Sequence, residues 1–243
     1  MKQKLILLFS KKNRSPGFRS LQLELGSVET DQFYLLLVER LVTEVFPLER
    51  DYEVCLATDY DTDFLEKWMG RHWPVISLAD RSPNEYVSCI FNAAPMKDAD
   101  KLLILSAGTL SVDENQISSM FDSIDEKTIL YQMGSDGYLA SVGVHQSNLA
   151  LFDNLDTLDE YMEDILTVRV EHYHLKVKKE EDLIIPGDLT QLAVFRNQLP
   201  DEHFVAKKID GMILEKLEPD PSSNDLETHS RSIQIDLAQD EGE

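Results

Sequence analysis

Lys101-Leu102-Leu103-Ile104-Leu105-Ser106 has four consecutive aliphatic residues where a half-exposed strand would alternate. An unbroken run of this length, closed by a small polar residue, fits a parallel strand covered by helices on both faces. Residues 4–9 repeat the pattern and end in Ser10-Lys11-Lys12-Asn13-Arg14-Ser15-Pro16-Gly17, which reads as a breaker-rich loop. Between the two runs the pattern alternates. Residues 30–46 carry Phe33, Leu36, Leu37, Leu41 and Val45 at helical spacing, and residues 52–58 form a second strand. A helix over 61–69, a strand over 75–78 and a helix over 84–96 follow, and 113–124 returns as a helix after the quoted run. Four strand–helix alternations predict an α/β fold, a Rossmann-like and mostly parallel sheet with helices on both faces and right-handed crossovers.

The second half is less regular. Residues 128–133 and 138–144 are two strands separated by Gly134-Ser135-Asp136-Gly137, either a hairpin or a pair with one strand antiparallel to the rest. A helix over 158–168, a strand over 173–177 and a helix from Pro186-Gly187-Asp188 through Gln198 complete a domain of residues 1–200. Residues 201–217 form a short extension of untyped structure. Residues 218–243 hold eight acidic residues against Arg231 alone, and their Pro and Ser content predicts a disordered acidic tail.

The 243 residues carry 23 Lys plus Arg against 45 Asp plus Glu, so the net charge of −22 argues against a nucleic-acid partner. The longest apolar run near the amino end, Leu5 to Phe9, is far shorter than the roughly 18 residues of a membrane span. The expected location is therefore cytoplasmic, with Cys55 and Cys89 reduced. Residues 1–23 reverse the global charge: Lys2, Lys4, Lys11, Lys12, Arg14 and Arg19 face no acidic residue in that span.

In open α/β sheets ligands sit beyond the carboxyl ends of the strands, which selects the loops 10–19, 58–63, 79–84 and 106–113. Only the first is basic. Lys11, Lys12, Arg14 and Arg19, with Pro16 and Gly17 shaping the backbone, would cradle a phosphate there through charge and exposed N–H groups, the alternative being a solvated loop that breaks up an acidic surface. Neither Gly-x-x-x-x-Gly-Lys-[Ser/Thr] nor Gly-x-Gly-x-x-Gly occurs. Asp59, Asp61 and Asp63 alternate but lack the other ligands of a calcium loop, so they read as a strand end and a helix cap. His172 and His174 would share one face of an exposed strand, with no third metal ligand identifiable.

Pro16-Gly17-Phe18-Arg19 after the opening strand, the run 102–105, Asp136-Gly137-Tyr138 with Gly143, and Pro186-Gly187-Asp188-Leu189 occur in an order that resembles one family. It is a bacterial glycosyltransferase-like family of GT-A (nucleotide-diphospho-sugar transferase) type, uncharacterised in activity and related in architecture to nucleotidyltransferases. The resemblance spans residues 5–192. It implies a nucleotide or nucleotide-sugar ligand, a divalent metal, Mg²⁺ or Mn²⁺, on an Asp after the fourth strand, and an acceptor site beyond. The family's Gly-Ser-Asp-x-Pro is Ser106-Ala107-Gly108-Thr109-Leu110 here, with Gly108 in the metal-binding position. Its Asp-x-Asp-Thr-Pro-Glu-Asp-Leu is Asp182-Leu183-Ile184-Ile185-Pro186-Gly187-Asp188-Leu189. By resemblance, Asp136 is the surviving catalytic candidate, as base or metal ligand, and Asp182 a second metal ligand.

Two functions follow as expectations. One is a glycosyltransferase-like or nucleotidyltransferase-like protein using a nucleotide-activated donor and a divalent metal. The other is a catalytically inactive relative, without a cofactor, that binds or interacts, its acidic tail offering Ser232-Ile233-Gln234-Ile235-Asp236-Leu237 to a protein partner.

Overall fold

Each central strand is apolar on both faces because each face meets a separate layer of helices. The computed structural model describes residues 2–10, 16–45, 52–70, 73–82, 85–93, 98–108, 112–153, 162–183 and 185–217. Its strands are β1 (Gln3–Phe9), β2 (Tyr52–Thr58), β3 (Val75–Ser77), β4 (Lys101–Ser106), β5 (Thr128–Met133), β6 (Leu139–His145) and β7 (Lys176–Lys179). They form one sheet in the order β3-β2-β1-β4-β6-β5-β7. β1 runs parallel to both neighbours, with Leu5 opposite Val54 and Leu103. β6 is antiparallel to β4 and to β5, which makes β5 and β7 parallel to the rest. The link at 134–137 is thus a hairpin whose second strand is the reversed one.

The helices are α1 (Pro16–Leu25), α2 (Ser27–Val45), α3 (Thr62–Met69), α4 (Tyr86–Asn92), α5 (Glu114–Ser123), α6 (Met162–His172), α7 (Leu189–Arg196) and α8 (Phe204–Leu217). Leu5, Leu7 and Phe9 of β1 pack with Leu103 and Leu105 of β4 against α1, α2, α5, α7 and α8. Ile6 and Leu8 pack with Leu102 and Ile104 on the opposite face, against α4 and α6. This period of two is the pleat of the strand. α8 buries Val205, Ala206, Ile209 and Met212 in the first of these cores. Cys55 belongs to the second core, and burial pushes its thiol up to about 11, so it stays protonated at neutral pH.

Three local expectations shift. Residues 16–19 open a helix rather than close a loop, because Pro at the first helical position lacks only an N–H that would be unpaired anyway. α6 runs to His172 instead of ending at 168, and His174 turns the chain at φ 55°. β7 accordingly begins at Lys176 rather than 173, so His172 and His174 lie on a helix end and a turn, not on one strand face. Asp61 caps α3 as expected, accepting from the N–H of Asp63 at 2.7 Å. Residues 218–243, the expected disordered tail, lie outside the described residues. No described helix is long and apolar enough to cross a membrane.

Candidate functional site

β1, β2, β4 and β5 all end at the same edge of the sheet, and β1 meets β4 there, the chain leading from β1 to β2 in one direction along the sheet and from β4 to β5 in the other. That reversal is where an α/β sheet opens a crevice for a ligand. Ser10, Asp59, 106–108 and 134–138 follow these strands and line the edge. Lys11 and Lys12 lie outside the described residues, while Gly17 and Arg19 stand in the first turn of α1, Arg19 exposed.

Gly17 and Asp136, 119 positions apart, are joined directly: the Gly17 N–H donates to Asp136 Oδ2 at 3.0 Å. The other oxygen, Oδ1, accepts from the Tyr138 N–H at 3.2 Å. A carboxylate placed on an open N–H of a helix's first turn is favoured both by the hydrogen bond and by the helix dipole. A Cβ on Gly17 would stand 2.8 Å from Ile185 Cγ2 and 3.1 Å from Asp136 Oδ2, so only glycine allows this approach. Gly187 lies against the Gly17 backbone, and Asp188 beside it caps α7 through the Gln191 N–H at 2.7 Å. The Pro-Gly, Asp-Gly and Pro-Gly-Asp motifs, scattered in sequence, therefore meet at one place.

Gly108 is buried, and the space its side chain would need is taken. A Cβ there would lie 2.8 Å from Phe18 Cε2. Phe18 cannot simply swing aside: it is buried, packed edge-on against Tyr34 at 5.2 Å between centroids and tilted on Phe33 at 6.2 Å. The described residues at the positions the resemblance assigns to the metal do not together fit a divalent cation. Gly108 supplies no side-chain oxygen, each Asp136 oxygen already accepts an amide hydrogen bond, and Asp182 is exposed with the Lys179 ammonium in its field. Among the described residues no three His, Cys, Asp or Glu side chains gather as a metal site.

A second polar group lies under the same edge. Ser10 Oγ donates to Asp59 Oδ2 at 2.8 Å, and Tyr86 Oη donates to that oxygen at 3.2 Å. The Ser10 N–H donates to Tyr34 Oη at 3.1 Å. All four residues are buried, Asp59 at 8% and the others at 3% or less. Burial first, then the Asp59 carboxylate, raises the Tyr86 phenol above its ordinary value, keeping it a donor. The sequence hides this group: Ser10 and Asp59 each follow an apolar strand, but Tyr86 sits within an apolar helix and looks like core.

No family model matches the chain, and no curated protein matches its sequence. Solved structures do match its fold. A protein from Desulfovibrio desulfuricans G20, provisionally assigned as a nucleotide-diphospho-sugar transferase, superposes with a TM-score of 0.72 at 10% identity, covering 88% of this chain and 97% of that one. A nucleotidyl transferase from Methanothermobacter thermautotroptrophicus superposes at 0.53 with 13% identity, covering 82% and 97%. The fold is that of the nucleotide-diphospho-sugar transferases, as the resemblance implied. At these identities the likeness defines the architecture and not the activity.

Proposed function

We propose that this chain is a binding protein built on a nucleotidyltransferase-like fold, taking a nucleotide or nucleotide-sugar at the β1/β4 crevice without transferring it. The observation that carries this reading is Phe18 against Gly108, which fills the place where the resemblance requires a metal-binding carboxylate. A transferase of this kind needs a cation to neutralise the diphosphate as the leaving group departs. Here the Asp136 carboxylate is engaged in joining α1 to the β5–β6 hairpin, a positioning part rather than a base. The buried Ser10, Asp59 and Tyr86 set gives the crevice a fixed polar floor, and the basic segment 10–19 supplies the charge a phosphate requires.

A thermal-shift screen with nucleoside triphosphates, diphosphates and nucleotide-sugars, run with Mn²⁺ and with EDTA, tests the reading. A ligand at about 100 times its Kd adds about 2.7 kcal/mol of stability. For a domain of this size that is a rise of roughly 5–10 °C, expected equally under both conditions. A shift seen only with Mn²⁺ would restore the transferase reading. Indifference to every nucleotide would leave a scaffold without this ligand.

A further inference from the structure

β7 ends the sheet among the described strands, and its backbone has one side to spare. Lys176 and Glu180 direct their N–H groups inward, to Lys127 O at 2.7 Å and Tyr131 O at 3.2 Å. By the alternation of a strand, the amides of Val177 and Lys179 then point outward from the edge. Val177 pairs with Ile129 and Lys179 with Tyr131, both of the second core, so the Val177 side chain stands at the rim of an apolar face and is 40% exposed. Leu175 packs partly buried on that same core. The edge is also divided in charge: Lys127 and Lys176 lie at its amino end, Lys178 and Lys179 are paired with Glu180 and Glu163 at 2.8 Å each, and Glu181 and Asp182 follow its carboxyl end.

We propose that residues 231–237 of this chain's own acidic tail add to β7 as an antiparallel eighth strand. This inference does not depend on the nucleotide reading. Arg231-Ser232-Ile233-Gln234-Ile235-Asp236-Leu237 alternates apolar and polar residues, as a strand needs when only one of its faces meets a core. Its charges are divided in the complementary sense: Arg231 precedes the apolar alternation, Asp236 falls near its end, and Asp240 and Glu241 succeed it. Antiparallel pairing brings Arg231 to Glu181 and Asp182, and carries the later carboxylates toward Lys176 and Lys127. Parallel pairing would set carboxylate against carboxylate, which is unfavourable across strands. With Ile235 opposite Val177, Ile233 falls opposite Lys179, Leu237 opposite Leu175 and Asp236 opposite Lys176. The apolar side chains then share the face of Val177, and both outward amides of β7 find carbonyls.

The connection is long enough. The fourteen residues 218–231 after α8 span up to about 50 Å extended, whereas a domain of this size has a radius of gyration of about 17 Å. Such a tether holds the segment at an effective concentration on the order of millimolar.

Amide exchange of the full chain, followed by NMR, reads the pairing directly. The Val177 and Lys179 amides should exchange about ten-fold or more slowly than in an Ile235→Pro variant, whose proline removes a ladder donor without touching the folded domain. The protection should persist on dilution. Equal exchange in the two proteins would overturn the proposal, as would protection that fades on dilution together with a dimer, since the strand would then come from a second copy.

Discussion

A Phe18→Ala protein should be less stable than its parent by about 3–5 kcal/mol in chemical denaturation, the usual cost of emptying a buried aromatic position. Phe18 closes three surfaces at once: the face of Gly108, the edge contact with Tyr34 and the tilted contact with Phe33. The cavity left cannot collapse easily, because Gly108 has no side chain to fill it and Gly17 next to Phe18 is fixed between Asp136 and Ile185. The complementary change, Gly108→Ala, should cost about 1–3 kcal/mol by overpacking, since the added methyl meets the ring at 2.8 Å. A Phe18→Ala change that cost less than 1 kcal/mol would mean the ring is not the fixed occupant of this space.

The second large effect is expected at Asp59. Asp59→Ala removes the acceptor shared by Ser10 Oγ and Tyr86 Oη, which stand 3.3 Å apart and can then offer only one acceptor to each other's two hydroxyl protons. An unsatisfied buried polar group costs about 1–3 kcal/mol, so a loss of roughly 1–3 kcal/mol is expected by denaturant titration. Asp59→Asn keeps an acceptor oxygen in place and should lose about half as much. The same Asp59→Ala protein should also lose the nucleotide-induced thermal shift, because the floor of the crevice is no longer held. Loss of stability with an unchanged shift would separate the polar group from the ligand site.

The residues that announce this fold are the runs 4–9 and 101–106, because a strand buried on both faces leaves no polar register to misread. The site was legible in part. Gly108, where the resemblance places a metal-binding carboxylate, and the motifs around Gly17, Asp136 and Gly187 could be picked out in order, and the last three meet in the fold. Phe18 could not be recognised as the ring packed on Gly108, since it looks like one apolar residue in a segment read as a loop. The Pro-Gly pair is the reason: it signals a turn, yet Pro also suits the first position of a helix. Ser10, Asp59 and Tyr86 are brought together only by the sheet order, across separations of 49 and 27 residues, and no local pattern carries such information. The late elements shifted for a related reason. Tyr173 and Val177 suggest a strand by type, but the α6 hydrogen bonds continue through the Tyr173 N–H to Arg169 O at 2.9 Å and delay it.

The proposed nucleotide site works without a protein-bound cation, which calorimetric titration of Mn²⁺ into the parent protein and into Asp136→Asn can check. No stoichiometric uptake is expected by either protein at concentrations where a metal-dependent transferase would saturate. A one-to-one site in the parent that disappears in Asp136→Asn would contradict this.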